Sequence, residues 1–175
     1  MRRVVVFFAL CFLVLTPAVT ASSPDDQCAY PPDLRGEISK KYPDMHLVTF
    51  ADLSEYDQKL FRKDHKNQCP GLAKVDFYGD GKPTYAVVLV SGENSKRKAE
   101  LILAHQLADG WEIRSLDVTD GTPVVWRENP GKYDDMYGPK TIRARNPVVV
   151  FCGLESWAVI YAWNGKEVEK LQVSD

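Results

Sequence analysis

Apolar positions along this chain fall into three successive patterns. Val4 to Leu15 is an unbroken apolar run. From Asp33 to Phe61 the apolar residues recur at helical spacing. Leu34, Ile38 and Tyr42 stand at i, i+4 and i+8 and share one face, which predicts a short helix begun by Asp33 and stopped by Pro43. His46 to Phe50 is a short extended stretch. Asp52-Leu53-Ser54-Glu55 has the spacing of a capping box, with aspartate in place of the usual hydroxyl residue. Leu53, Tyr56, Leu60 and Phe61 form an apolar stripe behind it. The prediction is a helix over 52–64.

From Pro70 onward the pattern is extended. Tyr85 to Val90 is a continuous apolar run rich in β-branched residues, as expected for a central strand buried on both faces. Ala99 to Ala104 is a second strand. Trp111 to Arg114 alternates, and Ala108-Asp109-Gly110 between the two is a hairpin turn. Ser91 to Lys98 is a polar loop. Val124 to Trp126 and Val148 to Cys152 are further strands. Trp157 to Trp163 puts Trp157, Val159, Tyr161 and Trp163 on one face and Ala158, Ile160 and Ala162 on the other. Asn164-Gly165 is the expected two-residue turn into a closing strand over 166–173. Glu128 to Lys140, with two prolines and two glycines, reads as an irregular excursion.

Strands joined by tight turns rather than helices argue against a parallel sheet. The predicted class is α+β: one or two N-terminal helices packed on a mostly antiparallel, meandering sheet of about six to eight strands. Helix 52–64 carries the stripe expected to cover it.

The leading segment changes the account of where the chain works. Arg2 and Arg3, the apolar run, Pro17 and the small residues Val19-Thr20-Ala21 have the three-part layout of a secretory signal peptide. The run falls short of the roughly 20 apolar residues that span a bilayer. The expectation is a signal peptide over 1–21 and a single domain over 22–175, secreted or periplasmic, with no stable membrane anchor. Losing Arg2 and Arg3 leaves 20 basic residues against 24 acidic ones, a net of −4. That balance excludes the basic footprint of a nucleic-acid binder. Export favours oxidation of two of the three remaining cysteines. Of three pairings, Cys28–Cys69 is preferred because both lie in polar, proline-flanked segments, and Cys152 ends an apolar strand as a buried small hydrophobe.

Asp76-Phe77-Tyr78-Gly79-Asp80-Gly81-Lys82-Pro83-Thr84 precedes the central strand. Carboxylates at alternate positions with a glycine at the bend can converge on a hard cation. The segment resembles the aspartate-glycine calcium loop of FG-GAP and VCBS-type repeats. Asp76 and Asp80 match positions one and five of that loop and Gly81 its glycine. Tyr78 and Thr84 replace the carboxylates at positions three and nine. The resemblance implies calcium on Asp76 and Asp80. The residues themselves read as a tight turn without a cofactor, which is the reading preferred here. Cys69-Pro70-Gly71 through Val88, and Tyr161 through Lys166, also resemble segments of small exported bacterial proteins.

No nucleophile elbow, phosphate loop or dinucleotide fingerprint is present. His46, His65 and His105 make no paired metal spacing. His65 is expected to complement a helix end, and His105 to be a satisfied core histidine. The strand tryptophans are expected in the core. Tyr133 and Tyr137, beside Asp134 and Asp135, sit in a loop, where recognition usually resides. The favoured expectation is a non-catalytic binding or interaction module for a protein or small ligand. Tyr133, Asp134, Asp135 and Tyr137 are its contact residues. The alternative is an extracellular hydrolase assembled from Asp76, Asp80 and His105.

Overall fold

The apolar run at 85–90 becomes strand β3 (Thr84–Ser91), and every residue from Thr84 to Val90 is buried. The structure, a computed structural model, describes residues 27–92 and 97–174. The expected signal peptide and residues 93–96 of the polar loop 91–98 lie outside the described residues. A strand buried on both faces needs two covers, and here they differ.

The first sheet runs β3, β4 (Lys98–Leu107), β5 (Gly110–Asp120). Two short strands, β1 (His46–Leu47) and β2 (Leu72–Val75), share the other edge of β3. The second sheet runs β6 (Val124–Glu128), β9 (Val148–Gly153), β10 (Trp157–Trp163), β11 (Val168–Ser174). Every pairing is antiparallel. Ala86, Val88, Leu101 and Leu103 face the second sheet, where Val149, Phe151, Val159 and Tyr161 meet them. Tyr85, Val87, Leu89 and Ile102 face the other way, onto Leu34 and Ile38. Those two belong to helix α1 (Pro32–Lys41) and are fully buried or nearly so. Each buried side chain of that size contributes roughly 1.5–3 kcal/mol.

The protein is therefore largely β, and several expectations are corrected. The main cover of the first sheet is a second sheet, not the helix at 52–64. That helix, α2 (Glu55–His65), buries only Phe61, and Tyr56 is exposed. It starts three residues later than expected, because Ser54 caps it through the Asp57 N–H. The capping box lies one turn earlier, around a short 3₁₀ turn at Phe50–Asp52. There the Asp52 carboxylate reaches back to the Thr49 N–H. Asp33 does not cap α1. It sits in the first turn and accepts a hydrogen bond from Trp111 Nε1 at 2.8 Å.

Glu128–Lys140 is not irregular throughout. It holds strand β7 (Gly131–Asp134), which pairs with β8 (Thr141–Ala144). This hairpin covers the outer face of the second sheet: Ile142 and Tyr133 pack on Val150, Ile160, Ala162 and Leu171. The turn into β11 is centred on Gly165-Lys166, one residue later than predicted. Asn164 N–H donates to Glu167 O, and its side-chain oxygen accepts from Lys166 N and Glu167 N. Trp163 pairs with Val168, so β11 begins later than expected.

One irregularity directs a side chain into the interior. Leu101 pairs with Asp117 but Ile102 with Ser115, so Leu116 is a bulge in β5. The extra residue turns Asp117 toward the second sheet, where Tyr161 and Lys170 both donate to its Oδ2.

Candidate functional site

The Asp76–Thr84 loop folds onto its own backbone. Both oxygens of Asp76 accept from the Gly81 N–H at 3.3 Å. Asp80 Oδ1 accepts from the Lys82 N–H at 3.1 Å. Gly79 has φ +71, and a Cβ there would lie 2.5 Å from the Asn146 amide. Asn146 Nδ2 in turn donates to Phe77 O, so loop and neighbour interlock.

The fold does bring Asp80 and His105 together. His105 Nε2 lies 3.2 Å from Asp80 Oδ2, and Nδ1 lies 3.0 Å from Thr84 Oγ1. Nδ1 is hydrogen-bonded with the Thr84 hydroxyl, and Nε2 faces the Asp80 carboxylate. Both ring nitrogens are engaged, and Thr84 is 0% exposed. A nucleophile needs access to substrate, which the buried Thr84 hydroxyl lacks. Among the described residues Asp76 makes no hydrogen bond or ion pair with the two; it is turned to the Gly81 N–H. Tyr78 lies over His105 with ring centroids 4.5 Å apart, in a group with Trp163. His105 is thus a packed, hydrogen-bonded histidine, as its position on the strand suggested.

Cys152 is buried, and desolvation pushes its thiol up to about 11, far from a reactive thiolate. The disulfide is Cys28–Cys69, as preferred from the flanking residues. His65 departs from its expected role. Its ring is stacked between Phe61 and Trp126, at 4.7 and 4.5 Å, and burial holds its pKa below the usual histidine value despite Asp64 and Glu128.

The hairpin residues divide. Tyr133 packs against the second sheet and donates its hydroxyl to Asn129 O. Asp134 accepts from Lys132 Nζ and Thr141 Oγ1, which hold its carboxyl below the ordinary range. Asp135 Oδ1 accepts from the Tyr137 N–H. The hairpin tip is tied down by Met136 N–H to Gln172 O, and Met136 and Tyr137 are 53% and 66% exposed.

A cleft of about 650 Å³ opens where the 50–57 segment meets the β5–β6 and β9–β10 turns. Its charged wall is a compact network. Arg97 Nη1 donates to Asp52 O at 3.1 Å and to Thr122 Oγ1 at 3.0 Å, and lies 3.7 Å from Asp52 Oδ1. His46 Nε2 lies 2.8 Å from the same oxygen. Burial pushes the Asp52 carboxyl up, but hydrogen bonds from His46 and the Thr49 N–H more than offset it, so it titrates below the ordinary range. Arg97 Nε is buried with no partner among the described residues. Trp157 also lines the cleft. Its indole lies against Gly153, where a Cβ would stand 2.6 Å from Nε1. Asp120 and Ser156 are also in the lining. Sequence reasoning missed this cleft. Arg97 and Trp157 come from distant turns, and Asp52 carried a convincing but incorrect assignment as the α2 cap.

The described fold is an antiparallel two-sheet domain with two N-terminal helices and a hairpin on its outer face. Compared with protein-family models, curated proteins and solved structures, the chain matches none.

Proposed function

We propose that the protein is an exported, non-catalytic binding module. Its ligand is a neutral, hydroxyl-rich molecule held in the Asp52–Arg97–Trp157 cleft. The observation that carries this reading is the cleft's chemistry. Trp157 lines the same cleft as a mostly buried Arg97–Asp52 pair, and Ser54, Asp57 and Asp120 add polar groups to the lining. Carboxylates accept from hydroxyls, the guanidinium donates, and the indole offers a flat apolar face. The volume lies in the range of small-molecule sites. The Cys28–Cys69 disulfide supports an oxidising compartment.

Titrating the mature protein with soluble oligosaccharides while following tryptophan fluorescence tests this. Saturable binding is expected, weakened by Trp157→Ala and unchanged by Tyr137→Ala. The opposite pattern would move the site to the hairpin tip, with Tyr133, Asp134 and Asp135 as its frame. The alternative of an extracellular hydrolase rests on the Asp80–His105 contact. Release of product from an oligosaccharide, abolished by His105→Ala, would establish it in place of the binding reading.

A further inference from the structure

A second concavity, away from that cleft, carries unbalanced positive charge. Strands β2 and β6 are edge strands of the two sheets, and Val125 N–H donates to Pro70 O at 2.8 Å where they meet. Two hollows of about 540 and 400 Å³ lie beside this junction, and Lys74 of β2 and Arg127 of β6 line both. The larger hollow adds the amides of Gln27, Gln68 and Asn129. The smaller adds Lys82 between Pro83 and Pro147.

Some basic side chains of this protein are held by carboxylates. Lys98, Arg114, Lys132 and Lys170 all have carboxylate partners within 2.9 Å. Lys74, Lys82 and Arg127 have no ion-pair partner among the described residues. Lys74 has only a cation–π contact, 5.9 Å from the Tyr85 ring. The one carboxylate in the lining, Asp76, is turned to the Gly81 N–H of its own loop. Three cations without an ion-pair partner among the described residues thus line the two adjoining lobes of one groove. Their mutual repulsion is relieved by an anion, and a concave wall focuses the field on it.

We propose that this groove binds a small ligand bearing two acidic groups, phosphate or carboxylate, and a neutral polar portion that extends from the first acid into the larger hollow. One acid lies between Lys74 and Arg127, whose planar fork suits either group. The second lies on Lys82. The neutral portion meets the amides of Gln27, Gln68 and Asn129, which donate to and accept from hydroxyls.

The test is calorimetric titration of the mature protein with three probes: a sugar bisphosphate, a sugar dicarboxylate and the uncharged parent sugar. The charge reversals Lys74→Glu and Arg127→Glu are compared with Lys63→Glu on α2, outside the groove. All three positions are exposed, so circular dichroism should confirm unchanged folding. The expected result is binding of a diacid probe that weakens by about tenfold or more in each groove variant. It should weaken with added salt and persist in Lys63→Glu and Trp157→Ala. The better diacid identifies phosphate or carboxylate. Failure of both diacids to bind, equal binding of the uncharged sugar, or indifference to both reversals would overturn the proposal. Because Trp157→Ala reports on the other cleft, either site can fail without the other.

Discussion

Removing the Asp117 carboxylate is expected to loosen the contact between the two sheets. Tyr161 is 2% exposed, and its hydroxyl has Asp117 Oδ2 as partner. Lys170 Nζ donates to the same oxygen at 2.6 Å from a side chain that is about half exposed. Asp117→Ala leaves the tyrosine hydroxyl buried and unpaired, which costs about 1–3 kcal/mol. The exposed lysine pair adds no more than about 1 kcal/mol. The sum expected is roughly 1–4 kcal/mol. Tyr161→Phe removes the orphan along with the bond. It leaves Asp117 with Lys170 and the Val118 N–H, so it should cost about 1–1.5 kcal/mol. The double variant should therefore be more stable than the sum of the singles by about 1 kcal/mol or more. Urea unfolding followed by tryptophan fluorescence measures all four proteins. Strict additivity, or an Asp117→Ala effect under about 0.5 kcal/mol, would refute the clamp.

Acid should act through the same group. Burial pushes the Asp117 carboxyl up, but the hydrogen bonds from Lys170 and Tyr161 and the Lys170 charge outweigh it, so its folded pKa lies below the ordinary value. A depressed carboxyl stabilises the fold above its unfolded pKa of about 3.9, and that stability is lost as pH falls through the folded value. The urea midpoint should drop below about pH 4 and drop less in Asp117→Asn.

Further outcomes can be stated briefly. Gly79→Val should destabilise more than Gly81→Val in thermal unfolding: both have positive φ, but only at Gly79 does a Cβ meet the Asn146 amide. Added calcium should leave the melting temperature unchanged, since Asp76 and Asp80 are engaged by their own loop and His105; a rise abolished by Asp80→Asn would make this a metal loop. Reducing Cys28–Cys69, which closes a separation of 41 residues, should cost about 4 kcal/mol by chain entropy, read from urea unfolding with and without reductant. His65 should titrate below about 6.5 by NMR, because burial against Phe61 and Trp126 disfavours its charged form. Trp126→Ala should move that pKa upward.

Local chemistry carried much of this fold in the sequence. Tyr85–Val90 could only be a doubly buried strand, because no wet face exists in its pattern. The alternation in Trp157–Trp163 assigned each side chain to the face it occupies, since a strand's period of two leaves no other choice. Proline-flanked polarity paired Cys28 with Cys69. The errors arose where a local signal had two physical outlets. Asp52 can accept from an N–H ahead of it or behind it, and docking against His46 and Arg97 selected the one behind. Glu128–Lys140 has weak strand propensity, and only the outer face of the second sheet makes a hairpin worthwhile there. Which cover lies on which face of β3 was likewise invisible, because apolarity shows that a face is buried and not what buries it. Both candidate sites belong to this second kind. Arg97 meets Trp157, and Lys74 meets Arg127, only because two sheets stack with their turns and edges in register, and chain separation hides that meeting from any one-dimensional pattern.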